Sequence, residues 1–474
     1  MKNLMKWAST LTVLFGLVSV AQSHALDIVN TDNLQISVGG LIHVMGEGQY
    51  VSDDSVGNQT RIYVWNTADQ LYISGAYKGF AGRLATTYGG TTNAASASNL
   101  NGILDLTDAY VDVPLAGNAL YLKVGQFKDP TNLESATDNS YMLFTEKSPN
   151  FNLFFSSGYE MGLVLVGHFG NFDGALGIVQ GAPDLPQRFL PEQLHLPLPM
   201  LLRVGYSNSI SDDPFHPRQT GFANVDSLQY AVHLNGFVAA NSNAGHGTLF
   251  SQMGSGIANF NYNQDYNGNV LLSSVFNPYL GFAGSGQPVS GLYYQVDLDF
   301  QVRAPLIGKT FTLSGQAAWG HFETTVQSGD LGNVLGVPAV PGNSYALNIY
   351  GAVLTASVQD PTWTWAVRLA AVLPDSGFQG TWKPLTYAQI FSNTNPIWEV
   401  TPSVTYSFNS YCKLTAEVML MFNEPESVDS DGNYVISEMP GLAQTNGSAT
   451  SSYASTNISA FFVPIARMML QFSL

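Results

Sequence analysis

Charge is scarce in this chain. Of 474 residues only 11% are Asp, Glu, Lys or Arg, against about 25% in an ordinary soluble domain. Bases are scarcer still: 17 Lys and Arg stand against 34 Asp and Glu, a formal charge of −17. A water-soluble protein of this length covers itself with charge, so the deficit argues against that class. The shortage of bases excludes a nucleic-acid partner, which needs a basic footprint. Cys412 is the only cysteine, which excludes an intrachain disulfide framework and a cysteine-rich metal site. Long apolar runs are missing too. A membrane-spanning helix needs about 18 or more consecutive apolar residues, and no such run occurs after the N-terminus. What is present is 45% hydrophobic residues, 12% aromatics and 46 glycines. A chain that meets lipid without long apolar segments is a closed β-barrel. Its alternate residues face lipid and lumen, and its inter-strand ladders satisfy the backbone.

The first 25 residues read as an export signal. Lys2 and Lys6 form a positive start, Trp7 to Val20 an apolar stretch, and Ser23-His24-Ala25 a small-residue cleavage site. Residues 26–474 then form a single barrel domain beginning at Leu26. Cleavage removes two lysines and no acid, so the 17 bases become 15 against 34 acids and the net charge moves from −17 to −19.

Several stretches alternate cleanly between apolar and polar residues. From Tyr294 to Arg303 every even position is apolar and every odd one polar or charged, the period of a strand with two distinct faces. A second pattern runs from Trp398 to Phe408, turns at Asn409-Ser410 and returns from Cys412 to Phe422; a third returns through Trp363, Trp365, Val367 and Leu369 after Asp360-Pro361-Thr362. Sixteen strands are predicted, with 14 to 18 compatible, near 34–45, 59–78, 80–90, 102–114, 119–127, 158–169, 173–181, 200–208, 226–240, 291–304, 309–326, 344–359, 362–373, 397–408, 411–422 and 459–474. Connections after even-numbered strands are mostly tight. Those after odd-numbered strands are long and rich in Gly, Ser, Asn and Pro, notably 128–157, 182–199, 241–290, 374–396 and 423–458. Short periplasmic turns with long extracellular loops are the asymmetry of an outer-membrane barrel. The link 209–225 is long on the short side; either it holds a small helix or the count is off by a hairpin there. Trp363, Phe408 and Phe472 fall near the short-turn end, where an aromatic girdle belongs. Counting back from Leu474, the positions Phe472, Leu470, Met468 and Ala466 share one face, similar to the C-terminal strand of outer-membrane proteins, though those usually end in Phe or Trp.

Alternation also assigns the charges, because a charge on the lipid face costs about 2–4 kcal/mol at mid-membrane. Lys78, Arg83, Lys123, Arg203, Arg303, Arg368, Lys413 and Arg467 are expected to point inward, as are Asp108, Asp112, Asp297, Asp299, Glu399 and Glu417. Such a wall is nearly balanced. Its charges either bias the ions that pass or merely pair with one another across the wall. Other chemistry is sparse. Asp429-Ser430-Asp431-Gly432-Asn433 has the oxygen spacing that opens a calcium loop but lacks flanking helices, so an Asx-rich turn is the plainer reading. No metal or cofactor site and no catalytic constellation is expected.

Between the fourth and sixth predicted strands lies Asp108-Ala109-Tyr110-Val111-Asp112, then Val124-Gly125-Gln126-Phe127-Lys128-Asp129-Pro130 with Leu133-Glu134, and then Ser140-Tyr141-Met142-Leu143-Phe144-Thr145-Glu146-Lys147-Ser148. These residues, roughly 105 to 150, resemble the phosphate-selective porins O and P. In that family such a run ends a strand and opens a loop that folds into the pore. The resemblance implies an outer-membrane porin of a Gram-negative bacterium, a water-filled channel passing small hydrophilic solutes and ions by passive diffusion. It implies that segment 128–157 narrows the pore, and, with porin habit, a homotrimer among outer-membrane lipid and lipopolysaccharide. Lys123 and Lys128 flank the start of that loop as constriction bases, Arg83 is placed to face them, and Glu134 and Glu146 would anchor the loop to wall arginines. Family members selective for phosphate line the channel with many bases, and this chain has few. The alternative class is a surface adhesin or structural outer-membrane barrel whose acidic loops bind a ligand. Eight residues from Leu26 to Asn33 are too few for an N-terminal plug, which disfavours plugged transporters. Exported protein is expected to begin at Leu26 by N-terminal sequencing and to migrate faster on gels before boiling than after; an unshifted band would exclude a barrel.

Overall fold

A computed structural model describes residues 26–31, 33–51, 59–66, 69–88, 105–117, 119–131, 133–137, 142–145, 147–148, 159–181, 200–208, 225–241, 289–326, 344–374, 397–409, 411–422, 427–428, 434–435 and 462–473. In chain order the strands are β1 (Leu26–Asn30), β2 (Leu34–Val51), β3 (Gln59–Asn66), β4 (Asp69–Tyr77), β5 (Phe80–Tyr88), β6 (Asp105–Pro114), β7 (Leu120–Lys128), β8 (Tyr159–Phe169), β9 (Phe172–Gly181) and β10 (Met200–Asn208). They continue as β11 (Gln229–Asn241), β12 (Val289–Leu306), β13 (Lys309–Val326), β14 (Ser344–Gln359), β15 (Trp363–Pro374), β16 (Ile397–Ser407), β17 (Cys412–Phe422), β18 (Ser427–Val428), β19 (Tyr434–Val435) and β20 (Phe462–Ser473).

From β4 to β17 each strand pairs antiparallel with the next one in that series. β20 pairs with β17 and with β2, from Leu41↔Ser473 to Gln49↔Ile465, and this last ladder closes the sheet on itself. β3 and β4 lie end to end along one side of β2, so they occupy a single place in the wall. The wall therefore has sixteen strand positions among the described residues, in the order expected from the sequence. β1 is an addition, a short strand on β2 from Leu26↔Val38 to Asn30↔Gln35. β18 and β19 form a separate two-stranded ribbon. The five residues between them, the calcium-loop candidate, lie outside the described residues, as do 1–25 and most of the long connections.

The two faces of the wall are chemically distinct. Leu71, Leu84, Leu163, Leu202, Leu234, Leu298, Leu354 and Leu369 are exposed on the outer face, whereas the alternate positions of the same strands are largely buried. No helix among the described residues is long and apolar enough to cross a membrane. Aromatics gather outside at the short-turn end. Trp363 stacks on Trp365 at 6.0 Å and touches Tyr406, which meets Phe408 edge-on; Tyr206 lies between Phe172 and Tyr230 in the same manner. Their amphipathic rings suit the headgroup level of a bilayer.

β10 and β11 pair directly from Met200↔Val238 to Asn208↔Tyr230, so no hairpin is missing between them. Of the link that joins them, 209–224 lie outside the described residues, and its end returns to the wall where the Val225 N–H donates to Thr310 Oγ1. Lys78 departs from the expected inward position. It sits in the turn with Gly79, exposed, with φ of 49° and 88° at the two residues. Both central residues of a type I′ hairpin turn need positive φ, and the turn, not the strand alternation, sets the direction of its side chain. The Asp360 turn is held differently. Its Oδ1 accepts from the N–H groups of Trp363 and Thr362, and Lys309 lies 3.1 Å from Oδ2. These donors hold the Asp360 carboxyl below its ordinary range. Its support for the hairpin is therefore present at neutral pH and fades as pH falls through that lowered value.

The turn after β12 is Ile307-Gly308, at φ 47° and 71°, with Ile307 almost fully exposed. A β-branched residue in the left-handed region carries about 1–2 kcal/mol of strain. Ile307→Asn is expected to stabilise the barrel by up to about 1 kcal/mol, read as a higher urea midpoint for unfolding from lipid vesicles.

Candidate functional site

The described residues of the segment that follows β7 contact inward-facing side chains of the wall. It begins at a backbone irregularity. Gly125 has φ of 125°, and a Cβ there would lie 2.1 Å from the carbonyl oxygen of Ala109, so only glycine fits. Gln126 turns inward and its Nε2 donates to the carbonyls of Leu106 and Thr107, 2.6 and 3.1 Å away, beside the register shift between β5 and β6. Phe127 is buried next to it. The Gly-Gln-Phe run thus lies where β7 leaves its ladder with β6, while its ladder with β8 continues to Lys128↔Tyr159. Asp129 continues it, accepting from the N–H and hydroxyl of Thr131 in the manner of an Asx turn.

From there the chain crosses to the opposite wall. The Pro130 carbonyl accepts from Arg203 Nη1 of β10 at 2.8 Å, and the Leu133 N–H donates to Gln316 of β13 at 2.9 Å. One helical turn, Leu133–Ala136, follows, and Lys128 Nζ donates to the Thr137 carbonyl. Farther along, the Met142 and Leu143 carbonyls accept from Lys413 of β17 and Ser403 of β16. The Thr145 N–H and hydroxyl both donate to Glu417 of β17. The Ser148 hydroxyl donates to Glu399 of β16 at 3.1 Å, while its N–H donates to Glu134 at 3.0 Å. Phe144 lies beneath the Arg368 guanidinium, 4.5 Å from ring centre.

Three buried arginines organise this docking, and each stands between two carboxylates. Arg368 of β15 lies 2.6 Å from Glu399 and 3.7 Å from Glu134. Arg467 of β20 lies 2.7 Å from Glu47 of β2 and 3.9 Å from Glu417. Arg203 lies 3.2 Å from Asp299 of β12 and 4.0 Å from Asp173 of β9. Strand register builds the last group. Asp173, Gly205, His233 and Asp299 are in register on four successive strands. The absence of a side chain at Gly205 lets the His233 ring span it: a Cβ there would lie 2.1 Å from the imidazole. Nδ1 of His233 meets Asp299 at 2.9 Å and Nε2 meets Asp173 at 3.3 Å. Asn235 donates to both Asp297 and Asp299.

On the near wall, Lys123 is fully buried, 2.7 Å from Asp112 and over the ring of Tyr110 at 3.4 Å. Arg83 lies 3.3 Å from Asp108 and over Tyr72 at 4.3 Å. Its ion pair is with that carboxylate, so it does not join Lys123 and Lys128 as one basic cluster. Arg303 is buried on β12, opposite Gln229 and Thr312. Glu134 reaches a wall arginine as the sequence suggested; Glu146 lies outside the described residues. Glu47, Glu160 and Asp173 are buried wall acids that sequence reasoning missed. In β8 the run Met161 to Val166 is apolar at both parities, so no facing could be read for Glu160. No group of three or more His, Cys, Asp or Glu among the described residues is arranged to hold a metal ion.

Arg368→Ala would leave Glu399 buried without its cation, at a cost of about 3–5 kcal/mol, and would remove the cation that approaches the half-buried Glu134. It is expected to free the inserted segment, read as new protease cleavage between 129 and 148 in the lipid-embedded protein. Resistance equal to that of the unaltered chain would show that this arginine does not hold the segment.

Residues 77–170 match the phosphate-selective porin O and P family, 94 of the 474 residues, and span the strands and segment just described. No curated protein sequence matches. Among solved structures, OprB of Pseudomonas putida is similar at 10% identity, covering 99% of this chain and 97% of that one with a TM-score of 0.49. An anion-selective porin from Comamonas acidovorans is similar at 10% identity, covering 93% and 100%, with a TM-score of 0.47. OmpT of Vibrio cholerae is similar at 9% identity, covering 94% and 100%, with a TM-score of 0.45. With its closed sixteen-strand wall, its apolar outer face and the family match at residues 77–170, the chain is a β-barrel of the bacterial outer-membrane type that resembles the phosphate-selective porins O and P.

Proposed function

We propose that this protein is a passive diffusion channel for small hydrophilic solutes and ions, with segment 128–157 as its constriction. The observation that supports this reading is that the described residues between 129 and 148, after leaving β7, contact Arg368, Glu399 and Glu417 of β15, β16 and β17 on the far side of the sheet. A sixteen-stranded barrel is wide enough to hold water, and a segment held across it divides that width. The pore-lining residues are then Arg83, Asp108, Asp112, Lys123, Arg203, Arg303 and Arg368 of the wall with Lys128, Glu134 and Glu146 of the segment. Diffusion through such a lumen needs no cofactor, energy source or catalytic group. Residues 1–25 act as a cleaved export signal, the mature barrel occupies 26–474, and it assembles as a homotrimer in lipid and lipopolysaccharide.

Planar-bilayer recording tests the reading. Purified barrel is expected to give stepwise openings, and a variant with residues 131–148 replaced by a short Gly-Ser link is expected to give larger unit steps. Equal steps would remove the constriction role of the segment. A complete absence of steps from the unaltered protein would point to an acidic surface-binding barrel in place of a channel.

A further inference from the structure

The inserted segment is fastened to one side of the barrel. Its described hydrogen bonds to the wall run to Arg203 of β10, Gln316 of β13, Glu399 and Ser403 of β16, and Lys413 and Glu417 of β17. On that far wall the inward-facing Thr310, Thr312, Ser357, Gln359, Thr364 and Thr415 are each no more than 2% exposed. Lys413, half-buried, is turned onto the Met142 carbonyl.

The near wall, β4 to β7, differs. Alternation turns Leu71, Ile73, Leu84, Val111 and Val124 outward, where all are exposed. It turns Tyr72, Ser74, Ala81, Arg83, Tyr110 and Tyr121 inward, and these stay only half-buried, so solvent within the barrel reaches them. Strand register makes them one patch. Ser74 lies beside Arg83, Arg83 beside Tyr110, and Tyr121 follows on β7 opposite Pro114. Among them the Asp112–Lys123 pair is buried against the Tyr110 ring.

The ion-paired bases divide in the same way. The Arg83 side chain is 23% exposed, against 5% or less for Lys123, Arg203, Arg368 and Arg467. Its guanidinium lies over the Tyr72 ring, and its Nε faces Asp108. An aromatic stack and a carboxylate together fix the plane of an arginine. Its exposure places that charge at the surface of the lumen.

Given the channel reading proposed above, we infer that the conducting path is off-centre: it follows the inner face of β4 to β7, and Arg83 is the wall base that sets which ions pass. A charge at the surface of a narrow aqueous lumen draws counter-ions in and repels its own sign. A base enclosed by protein does not touch the passing ion. Neutralising Arg83 leaves the Asp108 carboxylate as the charge at that place, which favours cations.

The route is tested with thiols. Cys412 is the only cysteine, so Cys412→Ser gives the full chain a thiol-free background. On it, Ser74→Cys and Ala81→Cys mark the near wall, and Thr312→Cys and Ser357→Cys the far one. Each variant whose gel migration still shifts on heating is recorded in a planar bilayer before and after sulfonatoethyl methanethiosulfonate. The current is expected to fall stepwise with a near-wall thiol and to stay level with a far-wall thiol. A fall with a far-wall thiol, or a level current with both near-wall thiols, overturns the route. A second measurement needs no thiol. Under a KCl gradient, Arg83→Gln is expected to move the reversal potential toward the potassium side, and Arg83→Lys to hold it near that of the unaltered chain. An unmoved potential in Arg83→Gln, or a potential in Arg83→Lys that moves as far, overturns the role of Arg83. Absence of stepwise openings from the unaltered chain removes the channel reading itself, whereas openings with the wrong thiol pattern remove only the route.

Discussion

Lipid offers no hydrogen-bond partners, so every backbone N–H and C=O that crosses it must be satisfied within the protein. For a chain without long apolar runs the solution is a sheet with no edge, and here the ladder between β2 and β20 supplies the closure. The rest of the structure follows from that ladder. Once the sheet is closed, every second residue is committed to lipid, and a charge committed there would cost about 2–4 kcal/mol at mid-membrane. The wall's charged side chains are accordingly turned inward, away from the leucines and tryptophans of the outer face.

Inward charge creates its own requirement. A buried ion without a partner costs several kcal/mol, and the wall meets this with ion pairs that bind the inserted segment as well as one another. Arg368 is the clearest case. It holds Glu399 of the wall, approaches Glu134 of the segment and lies over Phe144, so one guanidinium joins strand, loop and aromatic packing. Glu417 does the corresponding work two strands on, in β17, by accepting twice from Thr145 while Arg467 stands behind it. The segment's place in the lumen is thus a consequence of how the wall neutralises its own charge.

Much of the wall is legible in the linear order of residues. β12 alternates so strictly that both its faces can be assigned, and its Asp297 and Asp299 lie inside as read. Legibility fails where alternation fails. The end of β2 interleaves glycines at 46 and 48 with Glu47, and β8 is apolar at both parities around Val164 and Leu165, so neither Glu47 nor Glu160 announces its direction. Lys78 was misassigned for a different reason: a tight turn rotates its residues out of the strand's period. The short β1 leaves no mark in the hydrophobic pattern either, because it runs along β2 with the same chemistry as its surroundings.

The sequence by itself determined the class of protein, the number of wall strands, the length asymmetry of the connections and the place where one of them turns inward. These are local properties, set by period-two alternation, turn residues and a Gly-Gln-Phe run whose glycine the backbone requires. Which charges meet was decided only by tertiary structure. Asp173 and Asp299 flank His233 because four strands align in register around Gly205, and Glu47 meets Arg467 across 420 residues because the barrel closes. Pairing between charges depends on distances of a few ångströms between strands far apart in the chain, and alternation along any one strand carries no information about them.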